Sequence, residues 1–168
     1  MIRLVLLLGV TSIATAASLS PKECGTLATP RGQSFEIGLV YAAIIPSGLP
    51  DLTRTIPVYG PVLGIPVLGG TAQIQSVWGN DKDTNLSLML VEANYRLEIE
   101  IPYFHAFGLF GAHYLRYTQA TEHSGFGANL GIGLSFLMGR NFEVSFSLRT
   151  YLQQRSTVSF GGQFAFLL

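Results

Sequence analysis

The last 44 residues of the chain place an apolar residue at every second position, opposite a row of small and polar residues. The first apolar row is Phe126, Ala128, Leu130, Ile132, Leu134, Phe136 and Met138. The next two rows are Phe142, Val144, Phe146, Leu148, Thr150 and Leu152, then Val158, Phe160, Gly162, Phe164, Phe166 and Leu168. A period of two predicts β-strands, because successive side chains of a strand point to opposite faces. Each of the three strands therefore has one apolar face.

Segments of the same kind precede these three strands along the chain. The candidates span residues 34–45, 55–68, 71–78, 86–99 and 103–118, which makes eight strands in all. Short polar turns between them predict an antiparallel meander, and closing the sheet removes edges that invite aggregation. We therefore expect an all-β, eight-stranded antiparallel up-and-down transmembrane barrel over residues 34–168, since even strand numbers are the rule for bacterial barrels. Aromatic residues on both faces leave the phase of the fifth strand open.

The second segment is the weakest of the eight. Its three prolines each remove a backbone donor, so it is either a bulged, irregular strand or part of a loop. In the second case residues 46–70 form the largest unassigned surface, which caps the barrel or binds an unidentified partner; capping or irregular pairing is the expectation. The apolar residues of that surface are Ile56, Val58, Tyr59, Val62, Leu63, Ile65 and Val67.

The N-terminal residues read as targeting sequence rather than as part of the fold. Arg3, a short apolar run and small residues up to Ala17 are typical of a cleaved secretory signal peptide, residues 1–17. Residues 18–33 are polar and predict an extended periplasmic leader, in which Cys24, the single cysteine, is an unpaired thiol. The formal net charge is zero, so no basic field favours nucleic acid.

The composition of the polar face indicates which face contacts lipid. Charged residues make up only 12% of the chain, which is too few for the water-exposed exterior of a soluble domain. Small and polar residues instead suit the crowded lumen of an eight-stranded barrel. Trp78 and Tyr117 are expected in an aromatic girdle near the outer surface. The predicted lipid-facing residues are Phe126, Leu130, Ile132, Leu134, Phe136, Phe142, Val144, Phe146, Leu148, Phe160, Phe164 and Phe166.

Charged residues on the polar face predict a network of ion pairs in the lumen, because ionised groups in a narrow interior are costly unless paired. Strand directions place Glu92 and Arg149 at an outer level and the others, apart from Arg116, at a lower one. We expect these charges to close the lumen; a proton or ion path is the alternative. The predicted network is Glu36, Glu92, Arg96, Glu98, Arg116, Glu143 and Arg149.

The signal peptide, the strand ladder and the terminal Phe160, Phe164, Phe166 and Leu168 resemble small outer-membrane β-barrel proteins of the OmpA-like or opacity-protein type. The resemblance implies an integral protein of the outer membrane of a Gram-negative bacterium, with a structural or surface role and no cofactor. It also implies contact with outer-membrane lipid and with the barrel assembly machinery. Members typically end on an aromatic residue, whereas this chain has Phe166 two residues before its last, Leu168.

Two alternatives to a structural or surface barrel are an enzyme and a soluble carrier. Glu122, His123 and Ser124 are an acid, a base and a nucleophile in a loop, and some eight-stranded barrels are lipid A deacylases with Ser, His and Glu. The chain lacks the His-x-Ser spacing of such enzymes, and neighbours along a strand do not generally converge, so we expect no enzyme. His105 and His113 are eight residues apart, too far for one metal site. A soluble periplasmic lipocalin-like carrier is the second alternative.

Overall fold

The computed structural model describes residues 35–45, 54–82, 84–101, 104–119, 121–139, 141–153 and 157–168. The signal peptide and the leader lie outside these residues, as does most of the segment between the first two strands. In the described part of the chain, no helix is long and apolar enough to span a membrane. The eight strands are β1 Glu36–Ile45, β2 Ile56–Val67, β3 Gly70–Asp81, β4 Leu86–Ile101, β5 Phe104–Thr118, β6 Glu122–Leu137, β7 Phe142–Leu152 and β8 Thr157–Leu167.

The strands form one closed barrel in which each strand pairs with its neighbours in chain order. All pairs are antiparallel, and the barrel closes where β1 pairs with β8 from Glu36 opposite Leu167 to Ile45 opposite Val158. The fold is therefore the predicted up-and-down barrel of eight strands. We call the end that contains Glu36 and Leu167 the terminal end, and the opposite end, with the β3–β4 and β5–β6 connections, the far end.

Strand β2 is regular, so the interpretation of this segment as a loop is wrong. Its residues are alternately buried and exposed from Ile56 onwards, and its pairing with β1 runs without a break through Pro57 and Pro61. Both prolines lie on the exposed face, four residues apart, so their missing N–H groups point to the same side of the strand. The pairing with β3 joins Tyr59 to Trp78 and resumes at Val62 opposite Gln75. The apolar residues of β2 are thus part of the barrel wall, while residues 46–53 of the predicted partner surface lie outside the described residues.

The phase of β5 is settled by burial. Its odd-numbered residues from Phe107 to Tyr117 point into the barrel, and its even-numbered residues point out. Tyr117 is therefore inside, stacked on His123 with the ring centroids 5.0 Å apart, and its predicted place in an outer girdle is wrong. Trp78 does lie on the exposed face, beside Tyr59 of β2.

The interior has two parts of opposite character. The half toward the far end is an apolar core, whereas the half toward the terminal end contains most of the buried polar and charged side chains. The core residues are Val40, Ile44, Ile56, Val58, Val62, Val77, Leu86, Leu88, Leu90, Leu115, Tyr117 and Tyr151. Sequence reasoning expected a small and polar lumen throughout, which holds for the terminal half only.

The outside of the barrel is apolar around its circumference. The residues predicted to face lipid in β6, β7 and β8 all point outward; eleven of the twelve are exposed, and Val144 is half-exposed. Outward-facing Leu39, Tyr59, Leu63, Ile65 and Ile74 continue this surface on β1, β2 and β3. A barrel with exposed Phe, Leu and Ile outside and buried Glu, Arg and Gln inside has the polarity of a membrane protein, because such an exterior would aggregate in water.

Candidate functional site: the polar lumen

The first polar cluster surrounds the guanidinium of Arg96 on β4, near the terminal end. One nitrogen of this group lies 2.6 Å from a carboxylate oxygen of Glu143 and 2.7 Å from one of Glu98. The other terminal nitrogen lies 3.8 Å from Glu36. The guanidinium carbon is 4.1 Å from the centre of the Phe107 ring, so Arg96 is also held by a cation–π contact. We call these residues the Arg96 cluster.

Three strands far apart in sequence supply the carboxylates of the Arg96 cluster. Glu36 comes from β1, Glu98 from β4 and Glu143 from β7, and all three are buried with Arg96. Gln73 of β3 donates its side-chain N–H to Glu36 at 2.7 Å. An arginine can serve several carboxylates because its guanidinium carries five N–H donors in a planar fork. The cluster therefore ties opposite walls of the barrel together across the lumen.

The second polar cluster surrounds the carboxylate of Glu92, between the Arg96 cluster and the apolar core. Arg149 of β7 donates to Glu92 Oε2 at 2.9 Å, and Asn94 and Asn129 donate to the same oxygen at 2.9 and 3.1 Å. The other oxygen accepts hydrogen bonds from Gln75 at 2.7 Å and from the Tyr151 hydroxyl at 2.8 Å. We call these residues the Glu92 cluster. Five donors saturate one carboxylate, so its charge is buried without loss of hydrogen bonds.

Little space remains beside the Glu92 cluster. A cavity of about 10 Å³ lies where this cluster meets the apolar core, lined by Gln75, Arg149, Tyr151, Ser159 and apolar residues such as Val77. That volume holds about one water molecule. It is far below the several hundred Å³ that a ligand-carrying barrel provides.

The structure brings together six of the seven charges predicted for the lumen and separates the seventh. Glu92 pairs with Arg149 at one level, and Glu36, Glu98 and Glu143 meet Arg96 at the other, as the strand directions indicate. Arg116 faces outward at the far end of β5, where it is 49% exposed and lies 2.9 Å from Glu122. Its assignment to the lumen is wrong, because the inward face of β5 is the one that carries His113, Leu115 and Tyr117.

Sequence reasoning missed the uncharged members of the two clusters. Gln73 and Gln75 lie on β3, and Tyr151 lies two residues after Arg149 on the same face of β7. For two of them the signal that could have found them is the period of two itself. Tyr151 shares a face of β7 with Arg149, and Gln75 is the cross-strand partner of Glu92.

The histidines are separated as predicted. His113 is buried opposite Glu92, with its ring edge against the Tyr151 ring at a centroid distance of 5.0 Å. His105 lies near the terminal end, 3.9 Å from a Glu98 oxygen. Within the described residues, no group of three or more His, Cys, Asp and Glu side chains is arranged to hold a metal ion.

The far end keeps Glu122, His123 and Ser124 apart. They are consecutive residues of β6, so the side chain of His123 points to the face opposite to those of Glu122 and Ser124. Glu122 binds Arg116, and His123 stacks on Tyr117 and shares a 2.8 Å hydrogen bond with Thr121. The three side chains do not form the hydrogen-bonded chain that a hydrolytic triad requires.

Comparison with solved structures gives the class of the fold. The chain is similar to the attachment invasion locus protein Ail of Yersinia pestis, with TM-score 0.59, 12% identity, and coverage of 81% of this chain and 97% of that one. The N-terminal β-barrel domain of Pseudomonas aeruginosa OprF gives TM-score 0.60 and 16% identity over 80% of this chain and 98% of that domain. Neisserial surface protein A gives TM-score 0.61 and 9% identity, with coverage of 80% of this chain and 96% of that one.

No family model matches the chain, and neither does any curated protein. The likeness to solved structures therefore establishes the fold, and the polarity of the two faces agrees with it. Together they define the class: the chain has the fold of the small eight-stranded transmembrane β-barrels of outer membranes. Within this class, it has a lumen packed with two buried polar clusters and an apolar core.

Proposed function

We propose that the protein is an integral outer-membrane barrel with a structural or surface role and a closed lumen. One observation carries this proposal: the polar and charged side chains of the strands are buried inside the barrel, while large apolar side chains cover its outside. This arrangement is stable only where the surroundings of the barrel are apolar. The fold class makes the outer membrane of a Gram-negative bacterium the expected location.

The packing of the lumen supports the closed state. An ion that crosses the barrel must pass the Arg96 cluster, the Glu92 cluster and then an apolar core in which Ile44, Val58 and Leu88 are at most 1% exposed. Breaking a buried ion pair costs several kcal/mol, about 3–5 when one partner is removed, so the clusters do not open easily. The apolar core adds a layer that offers an ion no ligands.

The partners of such a barrel follow from its surfaces. The exposed apolar band is complementary to lipid acyl chains, and the outward Phe160, Phe164 and Phe166 of the last strand are suited to recognition by the barrel assembly machinery. Catalysis is not part of the proposal, since Glu122, His123 and Ser124 lie on two faces of β6.

Two measurements test the proposal. Cell fractionation should place the protein in the outer membrane, where it should migrate differently on gels before and after heating; release into the soluble periplasm would contradict the proposed location and favour a carrier. Purified protein in planar bilayers should give no steady open-pore current. Sustained single-channel steps from the wild-type protein would show that the lumen conducts and would remove the closed-lumen proposal.

A further inference from the structure

The two ends of the barrel differ in the character of their turns. At the terminal end the β2–β3 turn places Leu68 at its tip, and the side chain of this residue is 95% exposed. The β6–β7 connection at the same end begins with Leu137 and Met138, both exposed. At the far end, by contrast, the β3–β4 turn consists of polar residues from Asn80 to Asn85.

Leu68 occupies a backbone conformation that leucine rarely adopts. Its φ is +46°, that of Gly69 is +81°, and Val67 pairs with Gly70, so Leu68 and Gly69 form a two-residue hairpin loop. Positive φ at both central residues is typical of a type I′ turn, in which Asn-Gly is the preferred sequence. A leucine here costs turn stability and exposes a large apolar side chain, so local structure does not explain its presence.

The turn is held in place from the outer surface of the barrel. The hydroxyl of Tyr95 on β4 donates to the carbonyl oxygens of Val67 and Leu68, at 3.0 and 2.9 Å. Tyr95 faces outward beside Phe110, with ring centroids 5.4 Å apart. Leu68 is therefore fixed next to the exposed apolar band and continues it through Val67 and Ile65, both of which are exposed.

The length of β3 fixes how deep Leu68 can lie in a membrane. In the β2–β3 hairpin, Trp78 and its cross-strand neighbour Tyr59 are the large outward apolar residues nearest the far end, so they mark one boundary of the band there. Leu68 comes nine residues after Tyr59, at the end of β2. At about 3.3 Å per residue and a strand tilt of about 40°, nine residues span about 23 Å, close to the height of about 25 Å of the apolar band of a transmembrane barrel.

We infer that Leu68 inserts into the membrane leaflet at the terminal end and anchors this end of the barrel at the boundary between acyl chains and headgroups. This inference rests on the proposed membrane location. The occupant of the surface around Leu68 is phospholipid, because the surface is continuous with the lipid-contacting band and its depth matches the opposite boundary. The cost of a leucine in the left-handed region is offset by its burial in lipid.

The test uses tryptophan as a depth reporter in vesicles of brominated phosphatidylcholine, since bromine quenches tryptophan fluorescence on contact. Trp78 is the only tryptophan, so Trp78→Phe gives a silent background. In this background we compare Leu68→Trp with two controls. Asn85→Trp places the reporter in the polar turn at the far end, and Ile132→Trp places it outward within the apolar row of β6.

We expect bromines near the headgroup end of the acyl chain to remove most of the fluorescence of the Leu68→Trp variant. The Asn85→Trp variant should keep its fluorescence, and bromines near the chain end should quench the Ile132→Trp variant. Quenching of Ile132→Trp without quenching of Leu68→Trp would overturn the anchor and leave the membrane location intact. If neither variant is quenched, the membrane location itself fails.

A second measurement needs no tryptophan at position 68, whose own affinity for the membrane interface would favour quenching. Asparagine is preferred over leucine at this turn position, so Leu68→Asn should raise the urea midpoint if the side chain has no lipid contact. With the anchor, Leu68→Asn lowers the midpoint in vesicles, despite the better turn sequence. A raised midpoint would contradict the anchor.

Discussion

The replacement Glu92→Gln tests whether the Glu92 cluster holds the lumen together. The side chain keeps its size, but it loses its charge and exchanges one acceptor oxygen for an NH2 group. In either orientation this NH2 group meets donors: Gln75 and Tyr151 on one side, or Asn94, Asn129 and Arg149 on the other. Some donors can rotate, but the guanidinium of Arg149 stays buried without its counter-ion.

The expected cost follows from this geometry. Removing one partner of a buried ion pair costs about 3–5 kcal/mol, because the other charge remains desolvated. Each lost hydrogen bond to a charged group is worth about 1.5–3 kcal/mol, and this overlaps with the first figure rather than adding to it. We therefore expect Glu92→Gln to lower the free energy of unfolding by about 3–5 kcal/mol.

The assay is reversible urea unfolding in lipid vesicles, followed by the fluorescence of Trp78, which faces outward at the edge of the apolar band. The matched control is Glu122→Gln, which removes the same kind of charge from the exposed pair with Arg116 and should cost at most about 1 kcal/mol. Adding Arg149→Met to Glu92→Gln should restore part of the loss, since it removes the unpaired charge. Equal midpoints for Glu92→Gln and Glu122→Gln would refute the reasoning.

Two further predictions use matched pairs of substitutions. Gly111→Ala should cost about 1–3 kcal/mol, because its Cβ would collide with the Ala93 carbonyl oxygen, whereas Gly108→Ala faces open space and should leave the urea midpoint unchanged or slightly raised. Ile132→Arg should cost about 2–4 kcal/mol in vesicles, because it places an outward charge within the apolar band. Ser124→Arg, near the far end, should cost at most about 1 kcal/mol. Similar urea midpoints for Ile132→Arg and Ser124→Arg would contradict the membrane-facing assignment.

The sequence was sufficient to predict the barrel because its strands obey one rule over most of their length. In β6, β7 and β8 the apolar row is the exposed row, so reading the alternation also assigns the faces. The sequence also predicts how high along the barrel each ion pair lies. In an antiparallel meander, counting residues from each turn puts Glu92 level with Arg149 and Arg96 level with Glu143, and these pairs do meet.

The rule fails where the lumen is apolar, and β5 shows why. Both its faces carry large apolar residues, because its inward Leu115 and Tyr117 join the apolar core while its outward Phe110 and Tyr114 join the surface band. Alternation then does not show which face of β5 points inward, so the expectation that Arg116 lies in the lumen depended on a phase that the sequence leaves open. The sequence left β2 open between an irregular strand and a loop for another reason. Prolines disfavour a strand in general, but they are tolerated where one side of the strand loses few hydrogen bonds.

The division of the lumen into an apolar half and a polar half also explains how so few charges suffice to close it. An interior made only of small polar residues would leave space, and water or ions would fill it. Here the apolar core seals the far half without any charge, so ion pairs are needed only in the terminal half, where Arg96 and Arg149 each reach across to other strands. If the apolar core and the polar clusters each seal one half of the lumen, Leu88→Asn in the apolar core should open a water path only when it is combined with Glu92→Gln. Conductance should appear in the double variant and stay absent in each single one, and conduction by Leu88→Asn alone would show that the polar clusters do not seal the lumen.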